Sequence, residues 1–173
     1  MIMVPAAVIR AEDLPFAPSA EVETLPDLAS VRELPECQAF LADVRRATHP
    51  CENDPKFREF DFWIGDWNVF TPQGQQAGTS RIERVGNDCA LLEHWQGMLG
   101  DTGISLNSRD TLDGVWRQMY VDQRGRVTNF SGNVRDGAMY LEGLGQGAPG
   151  KRQPVRMTIS KLSDDAVRQL GES

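Results

Sequence analysis

Residues 60–70 read Phe60-Asp61-Phe62-Trp63-Ile64-Gly65-Asp66-Trp67-Asn68-Val69-Phe70. Five aromatics fall within eleven residues, interrupted by one glycine and two aspartates. A run this dense in large apolar side chains is too costly to leave in water, which excludes an exposed loop. Its second half, Trp67-Asn68-Val69-Phe70, alternates and then stops at the turn signal Thr71-Pro72-Gln73-Gly74. The stretch is expected to form a short aromatic plug followed by the first strand of an all-β domain.

Downstream of the plug, short alternating runs recur between turn residues. Strands are predicted over 67–70, 78–85, 90–96, 102–110, 115–122, 127–132, 139–143, 155–162 and 166–170. Between them stand Gln73-Gly74, Gly86-Asn87-Asp88, Asp113-Gly114, Arg124-Gly125, Asp136-Gly137 and the glycine-rich 145–150. Strands at roughly ten-residue spacing without helical crossovers indicate an antiparallel up-and-down sheet. Nine such strands are expected to curl until their edges meet as a barrel, which removes exposed edges. The last run stops at Leu170-Gly171-Glu172-Ser173 with no capping element after it. An open edge there predicts a homodimer in which a second copy supplies the missing strand.

Upstream, Pro5, Pro15, Pro18 and Pro26 interrupt any helix, so residues 1–30 are expected to form an extended arm. From Ser30 to Ala47 the residues Val31, Leu34, Cys37, Phe40, Leu41 and Val44 recur every three or four positions. That is an amphipathic helix, with Ser30 or Glu33 near its start and Arg45-Arg46 near its end suiting the dipole. It is expected to pack on the barrel; a lid or partner surface is the functional alternative. The organisation predicted is an arm and helix over 1–56 and a barrel over 57–173, possessing an unfinished C-terminal end.

At 173 residues the chain is long enough to bury a real core. A net charge of -7 should repel phosphate backbones, and Arg124-Gly125-Arg126 and Lys151-Arg152 are isolated pairs, so no nucleic-acid partner is expected. No run of 18 apolar residues exists, so no membrane span is expected. The start, residues 1–9, is apolar but lacks a basic region and contains Pro5, unlike a complete secretory leader. Cys37, Cys51 and Cys89 fit no zinc spacing. A bond between Cys51, just before the plug, and Cys89, in a turn, is geometrically feasible but left open by the residues; it requires an oxidising compartment. Neither a metal nor a cofactor is expected.

The order of these motifs resembles a group of bacterial proteins of unknown function with a lipocalin-like (calycin-like) barrel. In that group an FDFW-x-G-x-W-x-V opening precedes a Gly-x-Ser/Thr strand and a Leu-Glu-x-Trp strand. A Gly-x-Ser-x-Asn strand and a Trp-x-Gln-x-aromatic-Val-Asp strand follow. Here those pieces are residues 57–69, Gly78-Thr79-Ser80, Leu91-Leu92-Glu93-His94-Trp95, Gly103-Ile104-Ser105-Leu106-Asn107 and Trp116-Arg117-Gln118-Met119-Tyr120-Val121-Asp122. The match spans residues 57–143. The resemblance implies the barrel and favours a periplasmic or secreted location; it carries no common activity. The family pattern continues beyond Arg168-Gln169 with another hairpin, and this chain does not.

Strand alternation then groups candidate site residues. Glu93 shares a face with Leu91 and Trp95, opposite His94; both faces hold apolar groups, so the inward direction stays open. Ser105 and Asn107 share a face, as do Trp116, Gln118, Tyr120 and Asp122. With Arg81 and Glu83 from the preceding run, these residues can form a polar patch among Trp67, Trp95 and Trp116. A cavity walled by aromatics with a few polar groups suits a small, partly hydrophobic ligand, which is the leading functional reading. The alternatives are a small hydrolase of an ester, lactone or glycoside, with Glu93, His94 and Asp122 as its acid and base, or an assembly protein. The structural account of the same residues is a satisfied barrel network, with Asp122 capping a hairpin. No nucleophile elbow, phosphate loop or nucleotide fingerprint occurs.

Overall fold

A computed structural model describes residues 25–173. The proposed extended arm and the apolar start fall largely outside the described residues. The chain divides into two compact units, Met1–Pro50 and Cys51–Ser173.

In the first unit a 3-10 turn, Pro26–Leu28, precedes helix α1, Pro35–Thr48. The helix begins later than the periodicity from Ser30 predicts. Pro35 takes its first turn, where the missing N–H has no intrahelical partner to lose. Leu34 is the N-cap, and no side chain caps the helix, so Ser30 and Glu33 lie before its first turn. Glu36 in the first turn and Arg45 and Arg46 in the last match the helix dipole.

The second unit opens with the short helix α2, Pro55–Arg58, capped by Asp54, which accepts from Lys56 N at 2.8 Å. The plug follows as a 3-10 turn, Asp61–Trp63. Nine strands come next: β1 (Gly65–Phe70), β2 (Gln76–Val85), β3 (Ala90–Gly97), β4 (Thr102–Arg109), β5 (Trp116–Asp122), β6 (Val127–Arg135), β7 (Ala138–Gln146), β8 (Arg152–Ser163) and β9 (Ala166–Glu172). They form one antiparallel meander in sequence order, curled into a half-barrel. Every run read as a strand is one, to within a few residues at its ends.

The edges do not meet. β1 and β9 stand at opposite ends of the sheet with no pairing between them, which corrects the expected closed barrel. The concave side is filled from the chain itself. Phe60 (0% exposed) stacks on Trp63 (4%) with ring centroids 4.9 Å apart, and meets Trp116 edge-on at 5.7 Å. Around them pack Ile82, Leu91, Met139, Leu141, Met157 and Ile159, with the plug turn against β8. Apolar burial that closure would have supplied is supplied by the plug, so the sheet need not seal edge to edge.

Covalent and ionic ties hold the plug in place. Cys51 and Cys89 are disulfide-bonded, joining the segment before α2 to the β2–β3 turn; Cys37 is a free thiol. Arg58 donates to the Asp88 carbonyl, and Arg84 pairs with Asp61. Among the described residues no helix is long and apolar enough to cross a membrane.

Candidate functional site

Register places one residue each from β2, β3, β4 and β5 around a buried carboxyl. Ile82 pairs with Glu93, Glu93 with Ser105, and Ser105 with Tyr120, so all four share the concave face. The Ser80 hydroxyl donates to Glu93 Oε1 at 2.8 Å and the Ser105 hydroxyl to Oε2 at 2.7 Å. Asn107 Nδ2 donates to Ser105 Oγ at 3.0 Å, and Gln118 Nε2 to Asn107 Oδ1 at 2.8 Å. Glu93 is only 8% exposed, and no cationic side chain among the described residues pairs with its carboxyl. Burial lifts its proton affinity above the ordinary carboxylate range, and the Ser105 and Ser80 hydroxyls only partly offset that.

Two glycines on the same face seat the neighbouring aromatics. A Cβ on Gly78 would lie 2.7 Å from Trp95 Cη2, and one on Gly103 would lie 2.3 Å from the Tyr120 hydroxyl. Each belongs to a Gly-x-Ser run, Gly78-Thr79-Ser80 or Gly103-Ile104-Ser105. Because alternate residues share a face, each run delivers a hydroxyl to Glu93 and a bare backbone to an aromatic ring. Trp95 Nε1 donates to Asp101 Oδ2 at 2.9 Å, and Trp67 Nε1 to the Trp63 carbonyl at 2.9 Å. Trp67, Trp95 and Tyr120 all remain partly exposed. Beside Tyr120 a cleft of about 190 Å³ opens, lined also by Asp101, Asp122 and Arg126.

The remaining sequence candidates lie elsewhere. Trp116 is sealed in the core at 2% exposure, so it supports the concave wall without lining an opening. Arg81, Glu83 and His94 project from the convex face, since each neighbours a concave residue by one position in its strand. Arg81 bonds Glu83 at 2.9 Å, and His94 Nε2 lies 3.6 Å from the same carboxylate. Arg81 and His94, but not Glu83, line a polar groove of about 370 Å³ with Asp66, Asn68, Thr79 and Gln96, which Trp67, Ser80 and Trp95 also border. The grouping of Arg81 and Glu83 with Glu93 in one patch is therefore corrected by alternation. Glu93 and His94 are consecutive and face opposite ways, as alternation placed them, so His94 does not hydrogen-bond the carboxyl for which it was an acid-base candidate.

Asp122 is on the concave face but is a hairpin brace. Its carboxylate accepts from Arg124 N at 2.9 Å, from Arg126 N at 3.0 Å, and from the Arg126 guanidinium. Its pKa is lowered: partial desolvation opposes the drop, while the backbone and guanidinium donors of Arg126 outweigh it together. The network member that the site reading omitted is Ser80, and the signal for it was the repeated Gly-x-Ser spacing. Among the described residues no group of His, Cys, Asp and Glu side chains could hold a metal ion. Compared with known proteins, the chain matches no family model and no curated protein.

Proposed function

We propose that the protein binds a small, partly apolar molecule on the concave face, between the aromatic rim of Trp67, Trp95 and Tyr120 and the buried Glu93 network. The observation that carries this reading is a carboxyl 8% exposed, held by two serine hydroxyls, with three partly exposed aromatics on its own face. An apolar wall with a few converging polar groups is the composition of small-molecule sites. Such a carboxyl, protonated more readily than usual, offers a ligand either a donor or an acceptor. A hydrolase reading has less support, because neither His94 nor Asp122 is available to partner Glu93 in proton transfer.

Native mass spectrometry of the purified protein, followed by tryptophan-fluorescence titration with whatever is retained, tests this. The expected result is one retained molecule per chain, with affinity reduced at least about tenfold in both Glu93→Gln and Trp95→Ala. Equal affinity in the wild type and both variants would remove the concave face as the site.

A further inference from the structure

The outer surface of the half-barrel holds a feature that concave binding does not use. Along the convex face, register aligns Leu106, Met119, Asn129 and Leu144 in one row running across β4, β5, β6 and β7. By pairing, Met119 faces Leu106 on one side and Asn129 on the other. Leu106, Met119 and Leu144 are 44–53% exposed, and with the short Asn129 and Ser131 they shape a groove of about 720 Å³. That volume lies in the range of small-molecule sites, about 300–1,000 Å³. Leu106 and Met119 are direct cross-strand neighbours, with Leu144 beyond the short Asn129, and large apolar side chains grouped in water in this way ordinarily mark a binding surface.

Charge indicates what fits. Two of the ionic groups lining the groove are already matched: Arg117 by Asp110 and Asp113 at 3.1 and 2.6 Å, and Glu142 by Arg156 at 3.0 Å. Arg152 is different. Its Nη1 is pinned by the carbonyls of Val127 at 2.9 Å and Leu144 at 3.1 Å, and no carboxylate among the described residues pairs with it. The β5–β6 and β7–β8 turns lie at the same end, joined by Arg126 Nη1 to Gln146 Oε1 at 3.1 Å. Together these two turns carry Arg124, Arg126, Lys151 and Arg152, facing two carboxylates: Asp122, which pairs with Arg126, and Asp101, which lines the cleft beside Arg124 and Arg126. On a chain of net charge -7 this is a local reversal of sign.

We infer that this convex groove binds a straight-chain amphipathic carboxylate, its hydrocarbon lying on Leu106, Met119 and Leu144 and its head group on Arg152. The planar guanidinium keeps a donor edge for a carboxylate while the carbonyls hold its other side. The site is separate from the concave one and does not depend on it.

The test is isothermal titration of the whole chain with decanoate below its micelle concentration, and with uncharged decanol. The expected result is saturable decanoate binding at one site, at least about tenfold tighter than decanol. R152Q should abolish that preference while leaving decanol binding unchanged, and M119K should weaken both ligands. In the wild type, the Met119 methyl resonance should shift on titration, which needs no variant to fold. Glu93→Gln should leave decanoate binding as it was. No saturable binding, a preference that survives R152Q, or loss of binding in Glu93→Gln would overturn the inference. So would a wild-type dimer in sedimentation that M119K dissociates, because the face would then belong to a second copy.

Discussion

Glu93 is buried with the Ser80 and Ser105 hydroxyls on its carboxyl, and this has consequences for stability. Its folded-state pKa is raised, so the folded chain binds the proton more tightly than the unfolded chain. The contribution of Glu93 to stability is then fully present below the ordinary glutamate range and declines as pH rises through that range to the raised value. Glu93→Gln, isosteric and uncharged, should flatten this decline. Urea unfolding from about pH 4 to about pH 8 reads it, and an unchanged slope in the variant would clear Glu93 of the effect. At the neighbouring strand, Gly103→Ala drives a methyl into the Tyr120 ring and should destabilise by about 1–3 kcal/mol. Tyr120→Ala should remove most of that penalty in a double-mutant cycle, and additive losses would show the two do not touch. Glu93, Ser105, Asn107 and Gln118 were legible in the chain as one polar group, but Ser80 was not placed with them and the direction of their face stayed open. Leu91-Leu92 puts an apolar group on both faces of β3, so alternation alone could not say which side Glu93 takes.

Among elements, the plug segment and the turns are where sequence and fold are most tightly linked. The Cys51–Cys89 bond closes a loop of sequence separation 38. By the chain-entropy account, a loop of that size stabilises by about 4 kcal/mol. Reduction, or Cys51→Ser with Cys89→Ser, should lower the unfolding free energy by about 3–4 kcal/mol with β-sheet circular dichroism retained at low temperature. A loss below about 1 kcal/mol would mean the turn holds the segment without the bond. The β4–β5 turn behaves differently. Arg117 beside Asp113, with help from the Val115 N–H, depresses the Asp113 carboxyl to about 2. Its contribution is present above the ordinary aspartate range and is lost as pH falls toward about 2. The carboxyl carbon shift of Asp113 in an NMR titration should therefore move late, and in Arg117→Met it should return toward the usual range. The turns were readable because glycine, asparagine and aspartate take left-handed backbone there, as at Asn87, Asp88 and Asp136. The start of α1 was misplaced because the apolar period ran on through Val31 and Leu34, whereas Pro35 governs where the helix can begin.

For the half-barrel as a whole, the plug replaces the missing seam. Trp63→Ala should cost about 3–5 kcal/mol, since the ring is buried against Phe60 in the centre of the concave face. Trp67→Ala should cost clearly less, because that ring is only partly buried and loses one N–H bond to the Trp63 carbonyl. Denaturation midpoints of the two variants check the order, and the reverse order would place the core around Trp67. The open architecture leaves part of each sheet face exposed: the concave rim of Trp67, Trp95 and Tyr120, and the convex row of Leu106, Met119 and Leu144.

Composition and pattern by themselves determined the class of fold, the nine strands in their order, the turns between them and the aromatic segment that must be buried. Each of these follows from local chemistry: period-two alternation, glycine at positive φ, and the cost of exposing tryptophan. Only tertiary structure decided that the edges stay apart, that Glu93 faces inward while His94 faces out, and that Cys51 meets Cys89. It also brought the arginines of two distant turns to one end of the sheet. Those outcomes depend on which side of a curled sheet offers room, a quantity set by the packing of residues far apart in the chain and written in no short window of it.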